Sequence, residues 1–173
     1  MTTIITATPS DFPTIKALAY AIWPDAYGAI LSREQLEYML GAFYSEEALL
    51  ENYMEKGHRF LLVQEDDTVL GFASYEHLYK ETNTTRIHKI YLLPETQGRG
   101  LGKLLIKEIE KIALENHADR LSLNVNRYNK AQHFYKKLGF EIVDEEDIEL
   151  EFGYLMEDYV MEKELQLDTD STD

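Results

Sequence analysis

Cysteine is absent from the chain, which removes disulfides, thiolate metal ligands and a thiol nucleophile together. Any group transfer must run on other side chains or by direct attack. Long apolar runs are missing too, since no window approaches the roughly 18 apolar residues of a membrane span. The first residues, MTTIITATPSDFPTIK, lack a basic start followed by an apolar stretch, so the expected location is the cytoplasm and no membrane partner is expected. Basic residues are scarce beside acidic ones, 17 against 32, for a net charge of −15. That balance repels nucleic-acid phosphates and favours cationic small molecules as partners. Metal-ligand spacing is lacking as well: His58, His77, His88, His117 and His133 form neither HxxxH nor HxH, and no metal is expected.

What is present describes one folded unit. The 173 residues are 45% hydrophobic and 12% aromatic, with no repeat, linker or low-complexity insertion, and a chain of this size buries an adequate core. The domain is expected over 1–165, followed by a flexible acidic tail over 166–173. Ser10 or Asp11 starts a short first helix to Ala21, Ser32 a second, and Ser45 a third to about Lys56. RFLLVQEDDTVLGFASYEHLYK reads as an antiparallel hairpin about Glu65 to Thr68. Thr85 to Leu93 is a strand stopped by Pro94. From Leu101 a helix carries Leu104, Leu105, Ile109, Ile112 and Ala113 as its apolar stripe. Arg120 to Asn126 alternates as a strand, Lys130 to Leu138 is a helix ended by Gly139, and two final strands flank an acidic connection.

Three of the nine glycines, Gly98, Gly100 and Gly102, alternate where a strand hands over to a helix. Small residues there let successive backbone N–H groups point outward together, and the helix N-terminus adds roughly half a positive charge. That is an anion cradle, with Arg99 and Lys103 at its rim, and a pyrophosphate is its natural guest. Two common phosphate motifs fail. A P-loop needs Gly at Gln97 and Ser or Thr at Leu104, and a dinucleotide GxGxxG meets Lys103 or Leu105 where its third glycine belongs.

Gln97-Gly98-Arg99-Gly100-Leu101-Gly102 resembles the Q/R-x-x-G-x-G/A pyrophosphate loop of the GCN5-related N-acetyltransferases (GNATs), and AQHFYKKLGFEIV, Ala131 to Val143, resembles their C-terminal helix-strand motif. The similarity covers about Phe60 to Leu165. ILSREQLEYML and GYLMEDYVMEKEL further resemble bacterial small-amine acetyltransferases of the spermidine/spermine type. The resemblance implies a single α/β domain with a mixed, mostly antiparallel sheet, whose two central parallel strands splay apart between flanking helices. It implies acetyl-CoA as cosubstrate, its pyrophosphate on Gln97 to Lys103 and its pantetheine arm paired with backbone groups of Ile90, Tyr91 and Leu92. A nearby bulge would aim an N–H at the thioester carbonyl.

Further roles follow from the same resemblance. Direct attack by a neutral amine fits the missing cysteine, and Tyr135 matches the family's proton donor to the departing thiolate. Where the family carries Asn three residues before Ala131 this chain has Tyr128, so Asn129, one place later, is left to cap the helix or contact the cofactor. His88, on the strand facing the cofactor and titrating near neutrality, is the candidate base; Glu76 and His77 could act through water. Trp23, Tyr27 and Asp25 are candidates to surround a cationic amine. The expected activity is acetyl transfer to a small cationic amine such as a polyamine. The alternatives are a protein or peptide N-acetyltransferase and a non-catalytic acyl-CoA-binding regulatory module. A homodimer through the last strands is a further expectation.

Overall fold

The computed structural model describes residues 1–166; most of the expected tail, 167–173, lies outside them. Seven strands form one sheet in the order β1-β2-β3-β4-β5-β7-β6. They are β1 (Thr2–Thr6), β2 (Arg59–Glu65), β3 (Thr68–Glu76), β4 (Thr84–Leu92), β5 (Arg120–Asn126), β6 (Glu141–Glu149) and β7 (Leu155–Glu164). The helices are α1 (Phe12–Tyr27), α2 (Arg33–Tyr44), α3 (Glu46–Met54), α4 (Leu101–Glu115) and α5 (Ala131–Lys137). Every neighbouring pair is antiparallel except β4 with β5. None of the described helices is long and apolar enough to cross a membrane.

The sheet is covered on both faces, which is why β2 reads as a continuous apolar run instead of alternating. Leu61 and Val63 pack with Leu105, Ile106 and Ile109 of α4, while Phe60 and Leu62 pack with Phe12, Ile15 and Leu49 of α1 and α3. Ser32 and Ser45 cap α2 and α3, each hydroxyl accepting from a backbone N–H three residues on at 3.1 Å.

Three expectations are corrected, and one strand is added. The first helix does not end near Ala21 but runs through Pro24 to Tyr27; the missing N–H falls toward Tyr20, on the exposed side of the helix. Leu104 is 41% exposed, whereas Ile106, omitted from the expected stripe, is fully buried. The acids near the C-terminus lie within β6 itself, as Asp144 to Asp147 and Glu149. Charge suits an edge strand because it discourages pairing with another chain. Finally, β1, with only five residues and a partly exposed pattern, gives too short a periodic signal to be read from sequence.

Candidate active site

The glycine turn follows directly from β4. Pro94–Thr96 makes a single helical turn, held by Thr96 Oγ1 donating to the Leu93 carbonyl at 2.6 Å. Gly98 and Gly100 take φ of 83° and 74°, a region that costs other residues about 1–2 kcal/mol. A Cβ at either would meet nothing within 4 Å, so their need is conformational and the space beside them is open to a ligand. Gly102 differs: a Cβ there would lie 3.1 Å from the Phe134 ring of α5. It is small so that α5 can pack against the first turn of α4.

The Arg99 side chain, expected at the rim of the cradle, turns to a neighbouring acid. It pairs with Glu65 at the end of β2, and its hydrogen bond holds the Glu65 carboxyl below the usual range. Lys103 is exposed on α4. Neither residue lines the cavity described next.

β4 and β5 pair only from Thr84↔Arg120 to Ile87↔Leu123. Beyond that point β5 stays with β7 and β4 stays with β3, so the β5-facing backbone of His88 to Leu92 has no strand partner. Arg86 fixes where the strands part: buried on β4, it donates to Ser122 Oγ and Asn124 Oδ1 of β5, each at 2.5 Å. His88 is also the extra residue of a bulge, because Ser74 pairs with Lys89 and Tyr75 with Ile87.

The gap opens into a cavity of about 850 Å³. It runs from the glycine turn (Gln97, Gly98, Gly100, Leu101, Gly102) past Ile90, Tyr91 and Leu92 to Asn129 and Tyr135. Tyr27 and Asp25 line it from α1. Trp23 does not: it is 4% exposed behind Tyr27, their ring centroids 4.7 Å apart. Its aromatic character fits packing as well as recognition, so residue type alone could not place it. Asn129 Oδ1 accepts from the N–H of Ala131, the first residue of α5, at 2.9 Å, though Lys130 holds the N-cap position, and Asn129 also borders the cavity.

The tyrosines are kept protonated by burial. Tyr135 is 8% exposed, and desolvation, reinforced by Tyr27, pushes its hydroxyl well above the ordinary value. Tyr27 is raised to about 12 mainly by burial, and its hydroxyl lies 2.8 Å from that of Tyr91. A protonated phenol beside the cavity is chemically able to give a proton to a thiolate.

His88 does not titrate near neutrality. Burial first, then His58, Lys89, Arg86 and Lys56, lower it to about 2. Its Nε2 lies 2.9 Å from Glu76 Oε1, and His58 Nε2 reaches the same oxygen at 3.4 Å. The two rings stack at 3.9 Å and 10°, so their Nε2 atoms run side by side toward one carboxylate, which His88 hydrogen-bonds and His58 approaches. Three strand regions contribute to this cluster, and spacing along the chain carries no sign of it. Burial raises the Glu76 carboxyl. His77 lies outside the cluster, with Nδ1 2.9 Å from Thr85 Oγ1. Sequence reasoning also missed Lys89, which lines the cavity; a lysine on an apolar strand has no motif to mark it.

Comparison with known proteins agrees with this geometry. The model of the acetyltransferase (GNAT) family matches residues 17–140. Spermidine N(1)-acetyltransferase of Thermoplasma acidophilum is 29% identical over 161 residues, covering 90% of this chain and 92% of that protein. The [ribosomal protein bS18]-alanine N-acetyltransferase of Haemophilus influenzae is 33% identical over 91 residues, 51% of this chain and 60% of that one. Among solved structures, the PaiA N-acetyltransferase from T. acidophilum in complex with coenzyme A superposes with a TM-score of 0.80 at 28% identity, covering 95% of this chain and 99% of that one.

Proposed function

Because the chain belongs to the acetyltransferase (GNAT) family, we propose that it transfers acetyl from acetyl-CoA to a primary amine of a small polycation of the polyamine type. The observation that carries the reading is the single cavity joining the glycine turn, the parted strands and Tyr135. The residues fit the cosubstrate: the space beside Gly98 and Gly100 is open, and β4 offers unpaired backbone groups along the gap. In this reading the turn and the N-terminus of α4 hold the pyrophosphate. The backbone of Ile90, Tyr91 and Leu92 takes the pantetheine arm as an added strand.

Each residue then has a task. An N–H at the His88 bulge donates to the thioester oxygen as charge gathers there. The amine forms a C–N bond to the acetyl carbon as the C–S bond breaks; Tyr135 gives its proton to sulfur, and the proton the nitrogen sheds leaves to solvent, from which the phenol is restored. His88 acts as a neutral group: with Nε2 committed to Glu76, its Nδ1 is left to accept from the incoming amine and orient it unprotonated. Tyr27 and Asp25 border the acceptor's approach.

A polycationic acceptor is supported by the net charge of −15, by the exposed acids of β6, and by the likeness to a spermidine acetyltransferase along nine-tenths of the chain. The bS18-alanine relative motivates the competing arm, a protein N-terminus. The test is kcat/KM for spermidine and spermine against amino acids and an alanine-initiated peptide. The reading expects the polyamines to lead by at least about tenfold, the effect of roughly 1.4 kcal/mol of differential binding. Preference for the peptide would replace the polyamine by a protein substrate.

A further inference from the structure

Lys89 is the first residue of β4 beyond the His88 bulge, and it lines the cavity alongside Tyr27, His88, Ile90 and Tyr91. It is partly buried, yet among the described residues its ammonium makes no salt bridge. Instead Nζ lies over the Tyr44 ring of α2, 5.4 Å from its centroid. A buried charge is ordinarily paired, because desolvation without a partner disfavours the ionised form. Here that form also faces positive charge from Lys56. The acids and imidazoles around it give little relief: Glu76 is occupied by the histidines, and His58 and His88 are held neutral. The site thus favours an uncharged amine on the strand that would carry the thioester.

We propose that Lys89 is an internal acetyl acceptor: with acetyl-CoA bound and no external amine present, its Nζ takes the acetyl group and the chain acetylates itself at this position. The inference rests on the transferase reading above. The step balances without a further reagent. The Nζ–carbon bond forms as the carbon–sulfur bond breaks, Nζ loses one proton to solvent, and the thiolate gains one from Tyr135, whose phenol solvent then restores. Burial lowers Lys89 to about 8, so roughly a tenth of it is neutral at pH 7, against less than about a thousandth of a solvent-exposed lysine. Acetylation also removes a partly buried charge that no carboxylate pairs and fills acceptor space, so an enzyme starved of amine would hold itself back.

The test uses the full chain with acetyl-CoA alone, followed by intact mass and peptide mapping. The expected result is a single acetyl group on Lys89, formed with one equivalent of free thiol at a rate that saturates in acetyl-CoA. The rate rises with pH through about 8, and saturating spermidine slows it at least tenfold. Lys89→Arg loses the modification and Lys56→Arg keeps it; because the map on the unaltered chain decides the site, a folding defect in Lys89→Arg leaves the result intact. An unmodified Lys89, or acetylation scattered over exposed lysines without saturation, overturns the inference. If spermidine-dependent thiol release is seen while Lys89 stays unmodified, the transferase reading stands and this inference alone fails.

Discussion

Tyr135 and the histidines show how burial decides what a side chain can do. Burial keeps the Tyr135 phenol protonated, so Tyr135→Phe should lower kcat at least about tenfold, the low end for general acid catalysis, while coenzyme A affinity changes little; steady-state kinetics beside calorimetric binding checks both. His58 is lowered to about 4 by burial. A histidine depressed in the fold takes up protons more readily when unfolded, so its contribution to stability is full above about pH 6.5 and is lost as pH falls toward 4. Melting temperatures from pH 7 to 4 should therefore fall less steeply for His58→Leu than for the unaltered chain, and parallel curves would count against it. The place of Tyr135 beside the cavity was legible because its motif is local, contained in AQHFYKKLGF. The Glu76 cluster and Lys89 were not, since their meaning comes from strands brought together and from a cavity wall.

At the scale of elements, the strand-to-helix handover was legible from glycine spacing, but the spacing hid two different demands. Gly98 and Gly100 serve backbone conformation, and Gly102 serves the packing of Phe134. Gly100→Ala should lower Tm by several degrees, because about 1–2 kcal/mol of strain shifts a chain of this size by roughly 2–4 °C per kcal/mol. Gly102→Ala should be milder and should recover when combined with Phe134→Leu, whereas no change at Phe134 should rescue Gly100→Ala. Differential scanning calorimetry of the four variants separates the cases. The parting of β4 from β5 was expected from resemblance alone; its physical basis, Arg86 tying the strands immediately below the gap, is a contact between segments 36 residues apart. The extension of α1 through Pro24 escaped notice because proline signals a helix end, and here its lost hydrogen bond falls on the exposed side.

For the whole molecule, charge sets the expectation. With a net charge of −15 and β6 presenting exposed acids along one edge, the proposed polycationic acceptor would be drawn in by the field of the entire surface. Raising ionic strength from about 0.05 to about 0.5 M shortens the screening length several-fold, so kcat/KM for spermidine should fall severalfold while that for a singly charged amine falls far less. Equal salt dependence for both would detach the acidic surface from acceptor choice. The central claim, that the cavity between β4 and β5 is where acetyl passes from coenzyme A to an amine, is tested most directly by thiol release from acetyl-CoA with and without spermidine, against a background clean because the chain has no cysteine. The account predicts continuous release that requires the amine, with at most one equivalent in its absence. Coenzyme A binding with no amine-dependent release would contradict it and point to a regulatory module that binds the cofactor without using it.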